Sequence, residues 1–454
     1  MRLVSSDGKW YYKRLLALGI PIMLQNLIAI AINLLDTVMI GALGEAQLAA
    51  VGAANQIYFI FAVTLFGLYS GSAVYTAQFF GAGDMDGIHK IVGMDYLVGT
   101  VGGIALTLIA FIFAPQLIQI YSRDEMVVNF GVEYLRIACF TYPITAFSFA
   151  ISYNSRAIQK VNGPVVINGI ALIINGFLNY ALIFGMANVP ALGVAGAAIG
   201  TLVARIVELL LLLIYVYGNK AHPFNTGLSQ LFGFDRTTFK NVMKTAVPVV
   251  FTEASWSIST SLIFAAYGLL GTSALAVAQV SSVIVETIGA AYFGVGNATA
   301  MSIGEALGAG NVQLGKKCGK YSIIAVLALD VMVAISMMFA SPVIAQFYNF
   351  SHETQALLIR TLILIGFLFT PKMLGYIFVV GILRAGGDTY FCMKLELFAN
   401  LLIQLPLAYF SVLVLETSLP VAMLIGELGN VVRIIAGTKR YMSDKWINLV
   451  TQQN

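Results

Sequence analysis

Twelve stretches of this chain are each long and apolar enough to cross a bilayer, and short polar loops separate most of them. A membrane-crossing helix needs roughly 20 mostly apolar residues. The runs expected here are 14–40, 47–78, 88–114, 129–156, 163–186 and 192–217, then 240–269, 274–306, 315–341, 355–384, 389–414 and 419–438. Only 10% of the residues are charged and 59% are hydrophobic, against about 25% charged in soluble domains. The chain therefore reads as an all-α integral membrane protein of the cytoplasmic (cell) membrane, since outer-membrane proteins are barrels. Its N-terminus holds Arg2, Lys9, Lys13 and Arg14 and runs into the first span without a small-residue cleavage site, which reads as mature protein.

The spans fall into two matching sets. Gly41, Gly44, Leu48, Ala49 and Gly81-Ala82-Gly83 recur at one constant offset as Gly268, Gly271, Leu275, Ala276 and Gly308-Ala309-Gly310. The same shift carries Pro21 onto Pro248, Gly67 onto Gly294, Ala73 onto Ala300 and Lys90 onto Lys317. Six spans per half is an even number, so the halves share one orientation, related by a pseudo-twofold axis along the membrane normal. We expect an N-terminal lobe over 1–218, a polar cytoplasmic linker over 219–237 and a C-terminal lobe over 238–454. Duplicated bundles imply a site at their interface and a motion of one against the other, the plan of many secondary transporters. Pro21 and Pro248 each remove a backbone hydrogen bond and are candidate hinges.

Basic residues crowd alternate loops: Lys90, Arg156, Lys160, Lys220, Arg236, Lys240, Lys316, Lys317, Lys320 and Arg384, with the N-terminal cluster and Lys439, Arg440 and Lys445 in the tail. The positive-inside rule puts both termini in the cytoplasm. The net charge of +4 is this orientation bias and implies no nucleic acid partner. Cys139, Cys318 and Cys392 are too scattered for a zinc site or disulfide framework and read as packing residues.

Against this apolar background the polar residues inside spans carry the chemistry. Asp36 sits in the first span among Ile30, Leu34, Leu35, Val38 and Met39. A carboxylate at mid-membrane costs about 2.5–3.5 kcal/mol and is a functional candidate by default. Asn175 and Asn179, four apart, share one face of the fifth span, and Thr201 opens the apolar half of the sixth. One carboxylate, two amides and a hydroxyl form an oxygen cage suited to a hard cation, Na+ or a proton; interhelical hydrogen bonding is the plainer account of the asparagines. In the second half, Glu253 follows Pro248 and Lys372 follows Pro371. A buried acid and amine invite pairing, so Lys372 is expected to neutralise Glu253 unless its stem carries the amine to water. Glu286 is a further intramembrane acid, and Arg205 with Glu208, three apart, forms a local ion pair. Tyr58, Tyr153, Tyr180, Trp256, Tyr292 and Tyr376 are candidates to line a cavity for planar cations.

These pieces resemble the multidrug and toxic compound extrusion (MATE) family over nearly the whole chain. The matching segments are Asp36-Thr37-Val38-Met39-Ile40-Gly41, Leu48-Ala49-Ala50-Val51-Gly52 with Gln56, Gln78 with Gly81-Ala82-Gly83-Asp84, Gly193-Val194-Ala195-Gly196-Ala197-Ala198, Gly308-Ala309-Gly310-Asn311 and Leu383-Arg384-Ala385-Gly386-Gly387-Asp388-Thr389. The resemblance implies a twelve-helix, two-lobed antiporter that exports amphipathic, often cationic compounds in exchange for Na+ or H+. It maps the cation site onto Asp36 and Asn179, completed by Asn175 and Thr201. Asn179, where the DinF-like branch tends to carry aspartate, points to the NorM-like branch. That branch adds a glutamate, matched by Glu253, and a tenth-span aspartate and tyrosine, where this chain has Met373 and Phe369.

Other classes fit less well. His89, His222 and His352 lie apart in loops, and no Gly-x-x-x-x-Gly-Lys loop is present, so neither a metal-dependent enzyme nor coupling to ATP within this chain is expected. No cofactor or ATPase subunit is implied. A lipid-linked oligosaccharide flippase of the same superfamily is the closest alternative; its pyrophosphate cargo favours a basic cavity, whereas Asp36, Glu253 and Glu286 stand here against Arg205 and Lys372. A channel is the third option. The expected partners are small organic compounds and membrane lipids, with one chain working as a monomer.

Overall fold

The computed structural model describes residues 8–186, 190–348 and 350–449, and it is built from helices. Eleven helices among these residues are long and apolar enough to cross a membrane, and a twelfth crossing is a bent pair. In order they are Gly8–Gly41, Glu45–Ala82, Met85–Ile112, the pair Glu125–Ala138 and Thr141–Ala157, Asn162–Phe184, Gly193–Tyr217, Arg236–Gly268, Thr272–Gly308, Val312–Gln346, His352–Leu383, Thr389–Leu413 and Leu419–Met442. Each expected span has its helix.

The 48° bend in the fourth span has a local cause. Pro143 cannot donate to the carbonyl four residues earlier, that of Cys139. Thr107 on the third span donates to that carbonyl instead, at 2.7 Å. Gly103 makes the approach feasible, since a Cβ there would lie 2.7 Å from the Pro143 Cα. Two further irregularities are π-helical: Ile377–Leu383 in the tenth span and Phe398–Gln404 in the eleventh. Each admits an extra residue per turn, a device found mostly at functional sites.

The repeated motifs have a shared physical basis. Gly83 and Gly310 adopt φ of 75° and 73°, a region costly for other residues. The next residue caps the following helix: Asp84 accepts from the Gly87 N–H at 2.8 Å, and Asn311 accepts from the Leu314 N–H at 3.0 Å. The repeat seen in sequence is thus a repeated turn and cap.

Two compact units are present. The N-terminal unit contains Leu24–Thr76 and Asp84–Met243. The C-terminal unit contains Lys244 onward, the chain up to Met23, and Ala77–Gly83. Glycines draw these shorter pieces in. A Cβ on Gly81 would sit 2.1 Å from the Glu305 carbonyl oxygen, one on Gly308 1.8 Å from that of Gln78, and one on Gly294 2.5 Å from that of Gly19. Pro21 and Pro248 lie inside helices that continue through them, and the first helix passes from one unit to the other just after Pro21.

The linker packs within the N-terminal unit. His89 Nε2 lies 2.7 Å from the Pro223 carbonyl oxygen, and the Leu231 carbonyl sits where a Cβ on Gly93 would be. His222 is buried edge-on to Tyr215 and Phe224. Burial first, and then the charge of Lys160, pull its pKa from 6.5 down to about 4.

Candidate functional site

Asp36 stands on the fifth turn beyond Pro21, where the first span passes the fifth. Its Oδ1 accepts a hydrogen bond from Asn179 Nδ2 at 3.0 Å. The same nitrogen lies 3.5 Å from Asn175 Oδ1, and Asn175 Nδ2 donates to Thr201 Oγ1 at 3.2 Å. The four residues singled out from sequence therefore form one chain of polar contacts across the first, fifth and sixth spans. Asn179 is buried, and its Oδ1 has no hydrogen-bond partner among the described residues. That oxygen occupies the place where Gly200 lacks a side chain: a Cβ there would be 2.3 Å from it. A buried amide oxygen without a donor, beside a carboxylate, is chemically suited to a cation.

Two neighbours complete the surroundings. Tyr134, from the fourth span, lies with its hydroxyl 3.5 Å from Asn55 Oδ1 on the second span and within electrostatic reach of Asp36. Sequence reasoning missed it, because nothing local in the chain distinguishes Tyr134 from the other tyrosines of the spans. Arg205 also lies within reach of Asp36, but its guanidinium donates to Glu208 at 2.7 Å. Asn168 adds a second donor to Glu208 at 3.0 Å. The local pair expected from the spacing of Arg205 and Glu208 is present.

In the C-terminal unit the expected pairing of Lys372 with Glu253 is replaced by another. Glu253 accepts from Arg384 at 2.7 Å, with the guanidinium almost fully buried. The basic-loop pattern puts Arg384 at a cytoplasmic loop; in the structure it directly follows the π-helical turns of Ile377–Leu383 and its side chain is buried. Lys372 instead lies within electrostatic reach of Glu427 and Glu286. Behind Glu253 runs a network that the sequence reading did not find. Arg433 pairs with Glu396 at 2.9 Å, Asn400 donates to Glu396 at 2.9 Å, and Asn400 lies 3.5 Å from Ser255 Oγ. Arg433 also donates to Asn400 and Asn430, and Asn430 to Glu427. Of the four charges inside the last two apolar runs, Lys394, Glu396, Glu427 and Arg433, the last three were the available signal.

Met373 and Phe369 are both buried, and Phe369 stacks on Tyr292 at 5.6 Å. Tyr292, a cavity candidate from the sequence, is 1% exposed and donates to Asp330 at 2.7 Å, so its phenol is committed to a buried acid. Tyr376 packs its ring on Gly296. Tyr153 lies among Phe66, Tyr69 and Phe149 with the Arg156 guanidinium over its ring. Tyr58 is half-buried beside Tyr142. Tyr180 and Trp256 are exposed, at 55% and 48%.

A family model, MatE, matches residues 21–181 and 248–410, one copy in each half. The chain is 27% identical over 366 residues to a probable multidrug resistance protein NorM of Rhizobium meliloti, covering 79% of this chain and 75% of that protein. It is 26% identical over 409 residues to the multidrug resistance protein PmpM of Pseudomonas aeruginosa, covering 87% and 83%. In fold it superposes with a TM-score of 0.87 on an outward-facing multidrug resistance MATE transporter, at 20% identity over 98% of this chain and all of that one. A transporter of the same superfamily from Pyrococcus furiosus superposes at 0.86, also at 20% identity, over 98% and 100%. With both halves matched by the family model, the chain belongs to the MatE family, as a NorM-like secondary transporter and not an enzyme.

Proposed function

We propose that the chain is an antiporter that exports amphipathic, often cationic organic compounds in exchange for Na+ or H+, with the coupling cation taken at Asp36. The carrying observation is a carboxylate hydrogen-bonded to a neutral amide whose own oxygen is buried and unpartnered. A cation arriving at Asp36 competes with the Asn179 N–H for the same oxygen and favours the amide turned oxygen-inward. That exchange shifts the first span against the fifth and expels cargo; the two lobes then rock to release the ion into the cytoplasm. The multidrug resistance names of the relatives support an organic cargo, and the exposed rings of Tyr180 and Trp256 offer faces that suit planar cations.

One charge moving through 100 mV supplies about 2.3 kcal/mol, enough for a roughly fortyfold gradient of a neutral compound. A monovalent cationic cargo exchanged one for one gains nothing from voltage. The basic-loop bias supports cytoplasmic termini, and one chain supplies both repeats, which supports action as a monomer in the lipid bilayer.

The test is dye efflux from reconstituted vesicles under Na+ and pH gradients imposed separately. Wild type is expected to respond to one of them and Asp36→Asn to neither. Equal efflux by the two proteins removes Asp36 from the mechanism. The flippase reading is disfavoured because Arg384 and Arg433 are matched by Glu253 and Glu396, leaving these guanidinium groups engaged where a pyrophosphate would need them free.

A further inference from the structure

The third span carries a second buried carboxylate that the transport reading leaves unused. Asp95 has no exposed surface. Its Oδ2 accepts two hydrogen bonds, from Ser72 Oγ on the second span at 2.8 Å and from Asn154 Nδ2 on the fourth at 2.7 Å. Asn154 also donates to the Ala150 carbonyl at 3.0 Å, and its Oδ1 accepts from Thr76 Oγ1 at 2.7 Å. Asp95 Oδ1 is sealed from solvent and has no hydrogen-bond partner among the described residues.

The groups facing this carboxylate do not supply a counter-charge. The phenols of Tyr69 on the second span and Tyr96 on the third lie within its electrostatic reach. Both are neutral groups, and the Tyr69 hydroxyl is committed to the Ala146 carbonyl at 2.8 Å. Of the two arginines on the fourth span, Arg136 lies over Phe111, and Arg156 is turned to Gln25 at 2.7 Å and lies over Tyr153. A buried carboxylate with one oxygen saturated by neutral donors and the other bare is in want of a positive partner. The hydroxyls of Ser72 and Thr76 keep lone pairs free while donating. Carboxylate plus hydroxyls is a hard-oxygen set, and with one formal charge it matches a monovalent cation.

We propose that Asp95, with Ser72 and Thr76, is a second monovalent-cation site, separate from Asp36 and held in the same unit. Asn154 is a positioning residue: its amide holds Oδ2 and leaves Oδ1 as the ligating atom. Asp330 is set differently: among the described residues only Tyr292 bonds it, and Phe369 stacks on that tyrosine.

The experiment uses purified full-length protein in detergent, with Asp36→Asn as the background. Equilibrium binding of radiolabelled Na+ at fixed pH reads one cation, and proton uptake on a pH jump reads the other. The background variant is expected to retain one bound cation per chain, in one of the two assays, that the Asp36→Asn/Asp95→Asn double variant lacks. Identical Na+ binding and identical proton uptake by the two proteins overturn the proposal. If the double variant fails to fold, Ser72→Ala with Thr76→Val in the same background replaces it. Loss of the two hydroxyls is expected to weaken retained Na+ binding by at least about tenfold or, where the retained cation is a proton, to move its uptake to higher pH, since a donor to the carboxylate is gone; no change in either is again fatal.

Discussion

The two units hold their buried acids in opposite ways. In the N-terminal unit Asp36 and Asp95 face amides and hydroxyls: Asn179 for the one, Ser72 and Asn154 for the other. In the C-terminal unit Glu253 and Glu396 are gripped by guanidinium groups, Arg384 and Arg433, with Asp330, bonded by the Tyr292 phenol, as the exception. An acid with a resident cation is already neutralised, and its pairing is costly to disturb. An acid met only by neutral donors is free to exchange a mobile cation. Gene duplication gave both halves the same turns and caps, yet the charges diverged so that one half suits ion exchange and the other suits fixed pairing. Glu208, held by Arg205, follows the second pattern inside the first unit, which leaves Asp36 exposed to Arg205's field without being bonded to it.

The contrast is broken most forcefully at Glu253. Glu253→Gln strands the Arg384 guanidinium in a dry setting, which is expected to cost about 3–5 kcal/mol of stability. Thermal unfolding in detergent measures it, and Glu253→Gln combined with Arg384→Met is expected to recover most of the loss. If the single variant is as stable as wild type, Arg384 is not a resident partner. Asp36→Asn leaves no charge stranded, so stability is expected to hold while function fails. The loss is the drive of one cation, about 2.3 kcal/mol per 100 mV, read with a neutral dye as collapse of its roughly fortyfold gradient.

How much of this was legible in the sequence follows from what sets each feature. Span positions are fixed by apolar run length, so each expected run has a matching helix. The Asp36, Asn175, Asn179 and Thr201 cluster was legible because a carboxylate and a four-residue amide spacing are local patterns. The partner of Glu253 was not, since Lys372 and Arg384 stand twelve residues apart with π-helical turns between them, which change the angular relation of the two from that of a regular helix. Helical periodicity carries no sign of such turns. The segment Arg384-Ala385-Gly386-Gly387-Asp388 carries a family marker and a basic loop residue in the sequence; the structure gives its chemistry, with Arg384 on Glu253, Gly386 against Trp446 and Asp388 holding Arg440 at 2.6 Å.

A smaller effect sharpens the comparison at the cation site itself. Gly200→Ala would place a methyl 2.3 Å from Asn179 Oδ1, forcing the amide to turn while leaving Asp36 intact. Cation affinity is expected to fall by about tenfold, or ~1.4 kcal/mol, with little change in the cargo's own binding. Isothermal titration with Na+ and with cargo separates the two, and an unchanged Na+ affinity would mean that this oxygen is no ligand.

The smallest expected effect concerns pH and the linker. His222 titrates at 6.5 when unfolded and at about 4 when docked, so between those values the undocked state binds the extra proton. Docking is therefore fully stabilised above about pH 6.5 and weakens as pH falls toward 4, the sign that linkage requires for a depressed histidine. Hydrogen exchange over residues 219–233 is expected to quicken at pH 5 relative to pH 7.5, after correction for the intrinsic rate, and His222→Phe is expected to remove the difference. The C-terminal unit serves as the internal reference, because its own buried pairs are joined by guanidinium groups that keep their charge across this range. A parallel loosening there would mean that acid acts on the whole fold and that His222 has no special part in it.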